Sequence, residues 1–102
     1  MAKRLPPMHP GEVLREEFLV PLKVSAGALA RACGVPRTRI ERIATEETSI
    51  TADTAVRLGL ALNTTSEFWM SLQADFDLQI AKAEIADEMR KISTISQIAG
   101  AD

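Results

Sequence analysis

Only one cysteine and one histidine occur among the 102 residues. With Cys33 alone, no internal disulfide can form and no cysteine-based zinc site can be assembled. His9 has no second histidine or cysteine with which to share a metal, so no metal is expected. No run approaches the roughly 18 continuous apolar residues of a membrane span. The basic start, MAKRLPPMHPGE, has no apolar run behind it, so no secretory signal is read there and the cytoplasm is the expected compartment. Repeats and low-complexity tracts are absent, and strand-like alternation nearly so. There is no nucleophile–base pair, glycine-rich phosphate loop or ligand cluster either. Neither a catalytic residue nor a cofactor is expected, and the chain is read as a binding protein, not an enzyme.

What is present suits one small folded domain: 46% hydrophobic residues, 25% charged and a net charge of −2. The charge is unevenly spread. Between Val24 and Ala44 lie Arg31, Arg37, Arg39 and Arg42 against Glu41 alone. From Asp75 onward, Asp75, Asp77, Glu84, Asp87, Glu88 and Asp102 face only Lys82, Arg90 and Lys91. A phosphate feels charge within a Debye length of about 8 Å, so one basic patch on an acidic body is compatible with DNA.

The periodicity is helical throughout. Pro10 suits the first turn of a helix through Glu12–Leu19, with Val13, Leu14 and Phe18 on its apolar side and Pro21 beyond its end. Ser25 caps a second helix carrying Leu29, Ala30 and Cys33, which Gly34 ends. Pro36 opens a third with Ile40 and Ile43 inward. Thr51 caps a fourth, Ala52–Leu62, where Ala55, Val56, Leu58, Leu60 and Leu62 predict a broad buried face, and Asn63 follows as its C-cap. Thr64 or Thr65 caps a fifth, with Thr64 and Glu67 spaced as a capping box. Nothing from Glu67 to Ile92 breaks that helix, and Phe68, Trp69, Leu72 and Phe76 along it read as core packing. Asp53, near a helix start, complements the helix dipole. The expected fold is all-α, a compact five-helix domain with an extended C-terminal helix. Its expected division is an arm over 1–8, a helix-turn-helix domain over 9–78 and a helical extension over 79–102.

Ala30, Gly34 and Ile40 have helix-turn-helix spacing: a small residue where two helices cross, a glycine in the turn, and an apolar pin on the second helix. Around them, MHPGEVLREEFLVPLKVSAGALARACGVPRTRIERI and SITADTAVRLGLALNTTSEFWMSLQADFDL resemble the HigA (VapI-like) antitoxins of bacterial toxin–antitoxin modules. The resemblance covers about Met8–Leu78. Its most specific pieces are His9-Pro10-Gly11-Glu12, Ile50-Thr51-Ala52-Asp53-Thr54-Ala55, and Glu67-Phe68-Trp69 with Leu72-Gln73-Ala74 and Asp77-Leu78. It implies a phage repressor-like (XRE/Cro-type) domain, repression of the protein's own operon and sequestration of a HigB-like RNA-cleaving toxin. It also places Arg37, Thr38, Glu41 and Arg42 on the DNA side of the recognition helix. Arg37 and Arg42 suit bidentate contacts with guanine, and Thr38 a base or thymine methyl. Arg39 and Ser25, the latter with the free amides of its helix start, suit phosphates. The alternative is that these arginines are solvated or pair with Glu41 and Glu46.

The chain departs from that pattern after the recognition helix. Family members carry a short Gly-Lys or Gly-Arg loop; here stand Thr45-Glu46-Glu47-Thr48-Ser49. A non-glycine residue forced left-handed costs about 1 kcal/mol, and two carboxylates beside DNA oppose binding. Ala26 and Gly27 also stand where related repressors place a polar phosphate contact. Weaker operator binding is the expectation. Farther on, Leu78, Ala81, Ile85, Glu88, Ile92, Ile95 and Ala99 form a heptad seam, with Met89 beside Glu88. That seam would pair two subunits; packing on the protein's own core and contact with a toxin are the alternatives. The basic arm with Lys3 and Arg4, and the first helix, are candidate toxin contacts. Two further readings are a stand-alone helix-turn-helix regulator and a protein-interaction module with little DNA binding.

Overall fold

The structure, a computed structural model, describes residues 7–101. The arm residues Lys3 and Arg4 lie outside that range. Among the described residues every regular element is helical.

Helix α1 (Pro10–Val13), a π-helical stretch (Leu14–Leu19) and α2 (Val20–Leu22) run on as one rod, with right-handed helical angles across both junctions. His9 caps it: its Nδ1 accepts the Gly11 amide at 2.8 Å. Pro21 therefore lies inside the helix, not beyond it as the sequence suggests. The i→i+5 register, seen where the Val20 amide reaches the Arg15 carbonyl, widens the turn ahead of the proline ring. The rod ends at Lys23, in a left-handed conformation with φ 55°.

Three elements then follow in the expected order. Helix α3 (Ala26–Cys33) is capped by Ser25, whose Oγ accepts the Ala28 amide at 3.0 Å. Helix α4 (Arg37–Ala44) starts after Pro36. Helix α5 (Ala52–Leu62) runs from the Thr51 cap to left-handed Asn63.

Leu14, Leu29, Ala30, Ile40, Ile43, Ile50, Ala55, Leu58 and Trp69 form the core. The face of α5 is narrower than expected. Ala55 and Leu58 are buried, but Val56 and Leu60 are 48% and 81% exposed, because each lies about 100° or more around the helix from the core stripe.

Helix α6 (Ser66–Glu84) is capped by Thr65, whose Oγ1 accepts the Phe68 amide at 3.0 Å. The Thr64–Glu67 box does not form. Instead the Thr64 hydroxyl accepts the buried Trp69 indole N–H at 2.8 Å, a stronger claim on it than an exposed amide has.

The long fifth helix is also shorter than its periodicity implies. It ends at Ile85 (φ −107°, ψ 21°), and α7 (Ala86–Met89) and α8 (Ile95–Ala101) follow as separate pieces. Every described side chain from Asp77 to Ala99 is exposed, so no buried face holds the helix together. A reciprocal capping box starts α8: the Thr94 amide donates to Gln97 Oε1 at 3.0 Å, and the Gln97 amide to Thr94 Oγ1 at 3.3 Å. The heptad seam is thus cut between Ile85 and Ile95. The body is compact but the chain is not: its radius of gyration is 18.1 Å, against about 13 Å for a compact chain of this length.

Candidate nucleic-acid interface

The site begins with how α4 is held. Ala30, 1% exposed, lets α3 approach it, Gly34 turns the chain at φ 71°, and Ile40 and Ile43 are buried beneath. From the opposite side α1 meets the end of α4 so closely that a Cβ on Gly11 would lie 1.7 Å from the Ile43 carbonyl oxygen. Arg15 donates to the Ala44 carbonyl. A third brace comes from α5, where Arg57 donates to the Cys33 carbonyl at 2.8 Å. Gln73 of α6 accepts the Ile50 amide at 2.7 Å and donates to Asp77 at 2.9 Å, anchoring the segment that follows the loop.

Held this way, α4 turns Arg37, Thr38, Arg39 and Arg42 outward, with Glu41 half-buried. All five share one helix and one side of the body. Arg37 also lies against α3: a Cβ on Gly27 would meet its Cδ at 3.2 Å, so the start of α3 after Ser25 adjoins the same surface. An open groove beside α4 is lined by Thr38, Arg39, Arg42, Ser49, Thr51 and Asp53.

Two of the three arginines are paired. Arg37 Nε donates to Glu41 at 2.7 Å, and Arg39 donates to Asp53 at 3.2 Å. Asp53 also receives Arg57 at 3.0 Å, and hydrogen bonding from Arg57, helped by Arg39, holds its carboxyl below the usual range. Arg42 has no ion-pair partner among the described residues.

The loop after α4 closes without glycine. Glu46 is left-handed at φ 67°, the Glu47 amide reaches back to the Arg42 carbonyl at 2.8 Å, and the Glu46 amide to the Ile43 carbonyl at 2.9 Å. That is a Schellman ending. Arg15, not an arginine of α4, pairs with Glu46 at 3.3 Å. Glu47 has no cationic partner among the described residues; it accepts the Thr45 hydroxyl at 2.6 Å.

No protein-family model matches the chain. It is 44% identical over 80 residues to virulence-associated protein I of Dichelobacter nodosus, covering 78% of this chain and 74% of that protein. It is 33% identical over 89 residues to antitoxin HigA-1 of Vibrio cholerae, covering 87% and 84%. The chain belongs to the HigA (VapI-like) antitoxin family. The solved structure of the Pseudomonas aeruginosa antitoxin HigA with the higBA promoter superposes on this HigA-family chain with a TM-score of 0.81. It does so at 40% identity over 86% of this chain and 96% of that one.

The surface this HigA-family chain presents gathers Arg37, Thr38, Arg39, Glu41 and Arg42, with Ser25 nearby. It does not gather Leu78, Ala81, Ile85, Met89, Ile92 and Ile95, which are divided among α6, α7, α8 and the segments between them. The sequence assigns no bracing role to Arg15, Arg57 or Gln73, although Gln73 lies in one of the specific pieces of the resemblance. Asp53 and Arg57 are spaced i,i+4, a pattern that signals their pairing, but the contacts of Arg15 and Gln73 cross 29–31 and 23 residues and leave no local mark.

Proposed function

We propose that the chain is the antitoxin of a HigB/HigA-type module: it binds operator DNA, represses its own operon and neutralises an RNA-cleaving HigB-like toxin by binding it. It acts in the cytoplasm as a binding protein without catalysis, metal or cofactor, and reads paired half-sites as a homodimer. The division into arm (1–8), helix-turn-helix domain (9–78) and C-terminal extension (79–102) belongs to the same reading.

The observation that carries the DNA half is the outward row Arg37, Thr38, Arg42 on a helix braced from three sides. A rigid helix of this size fits the major groove, where each good bidentate contact contributes about 1–3 kcal/mol of discrimination. Arg37, Thr38, Glu41 and Arg42 are assigned to the bases or to ordering their contacts, and Ser25 and Arg39 to phosphates. With Arg15 answering Glu46, one loop acid, Glu47, stays unanswered. Operator binding is therefore weakened but not lost. A dimer must span half-sites about 34 Å apart. The exposed apolar Leu78, Ala81, Ile85, Met89, Ile92 and Ile95 are its proposed contacts.

The test is fluorescence anisotropy of the protein on its own upstream DNA and on a scrambled fragment, at two salt concentrations, beside Arg37→Ala and Arg42→Ala. Preferential binding that both substitutions abolish supports the repressor. Equal and feeble binding to both fragments favours the second reading, a protein-interaction module, which the engaged Arg37 and Arg39 support. Rescue of growth on co-expression with the neighbouring open reading frame tests the toxin half, and its absence alongside operator binding leaves a stand-alone regulator.

A further inference from the structure

We infer that Glu41 is a positioning residue that sets sequence discrimination by aiming Arg37. The inference rests on the DNA-binding reading and deepens it: Glu41 does not touch DNA but decides what Arg37 touches.

Arg37 is the more exposed of the two paired arginines of α4, its side chain 72% accessible, yet it is restrained at two points. Its aliphatic stem lies over Gly27 of α3, close enough that a Cβ there would crowd Cδ at 3.2 Å. Its Nε–H is given to Glu41 Oε2 at 2.7 Å, one helical turn along. The hydrogen-bond donors of a guanidinium form a planar fork. With Nε engaged, the two terminal amino groups make no hydrogen bond within the described residues. Those are the groups a guanine edge takes in a bidentate contact.

Arg42 provides the contrast. It stands exposed on the same helix with no such partner among the described residues, so its guanidinium is not steered. An unsteered arginine near DNA can reach a phosphate as readily as the base edge it reads, so part of its contribution is affinity for any sequence. A steered one forgoes the phosphate and contributes only where a guanine lies in front of it. The half-buried carboxylate also places negative charge beside the groove, which opposes binding to any sequence.

The experiment compares wild type, Glu41→Gln, Arg37→Ala and the double variant on upstream and scrambled DNA by anisotropy across a salt series. Thermal unfolding of each variant is recorded in parallel. In Glu41→Gln, affinity for scrambled DNA should rise about three- to tenfold, and its salt slope should steepen by about one as Arg37 gains a phosphate. Upstream DNA should gain less, so the ratio between the two falls. In the Arg37→Ala background the Glu41 substitution should leave the salt slope unchanged, because the residue to be aimed is gone.

Loss of affinity for upstream DNA alone, with scrambled binding and its slope unchanged, would make Glu41 a direct base contact and overturn the inference. Parallel shifts on both fragments with a lowered melting temperature would make it structural and do the same. Absence of any preference in the wild type would overturn the repressor reading instead. The scrambled-DNA slopes of the variants still decide the role of Glu41 in that case.

Discussion

Glu46 sits at φ 67° because the chain must reverse after α4 while two amides, those of Glu46 and Glu47, still close back on its last turn. A side chain in that conformation costs about 1 kcal/mol, and its exposed ion pair with Arg15 contributes no more than about that. Glu46→Gly should accordingly leave stability unchanged or up to about 1 kcal/mol higher by urea denaturation. A larger loss would mean that the Arg15 clasp outweighs the backbone strain. Gly11 has no such latitude. Gly11→Ala drives a methyl into the Ile43 carbonyl, 1.7 Å away, and should cost about 3 kcal/mol or more by the same measurement. Burial pushes the Cys33 thiol up in pKa, so at neutral pH it should react with a maleimide only as the protein unfolds. Asp53 titrates in the other direction. Its carboxyl is held low, so the contribution of its arginine pairs is present above the ordinary carboxylate range, near pH 4, and is lost as pH falls through the depressed value. Asp53→Asn should flatten the acid limb of the stability profile. At this scale the sequence was informative where chemistry is local. Ala30, Gly34 and Ile40 announce the turn, and the missing glycine at the loop announces strain. It marked Gly11 only as part of the His9-Pro10-Gly11-Glu12 resemblance and gave no reason for it, because its need is created by Ile43, more than thirty residues away.

At the scale of elements, helix starts were more legible than helix ends. Ser25 and Thr51 cap where their side chains predict, because a hydroxyl and an amide three residues on interact whatever the rest of the fold does. Ends depend on what is buried. The periodicity that continued from Glu67 to Ile92 had no core to face after Phe76, and the helix stops at Glu84. The box at Thr94 and Gln97 is present in the sequence as a start signal and is masked by the heptad spacing that runs across it from Ile92 through Ile95 to Ala99. His9 was legible only as lying near a helix start. Its role as the cap, edge-on to Phe76 with ring centres 4.9 Å apart, needed the structure. His9→Asn keeps an acceptor for the Gly11 amide and should cost less than His9→Ala, by about 1 kcal/mol in urea denaturation. Equal losses would mean that packing on Phe76, not the cap, is what His9 provides.

Across the whole molecule, a braced five-helix body and an exposed C-terminal strip divide the labour. The strip carries Leu78, Ile85, Met89, Ile92, Ile95 and Ile98 into solvent, from 43% to 78% exposed. Deleting the residues beyond Lys91 should leave the thermal midpoint within about 2 °C, since none of the described side chains among them is buried. If the strip joins subunits, the same deletion converts dimer to monomer by light scattering; an unchanged dimer moves the contact elsewhere, for instance to Val56 and Leu60 of α5. The shape also has a hydrodynamic consequence. A radius of gyration of 18.1 Å is what a compact chain of about 250 residues would show. With extents of 60 × 31 × 21 Å, a single copy drifts through a gel column as though it were two or more. Retention volume thus reports the reach of the tail, and mass reports the number of chains.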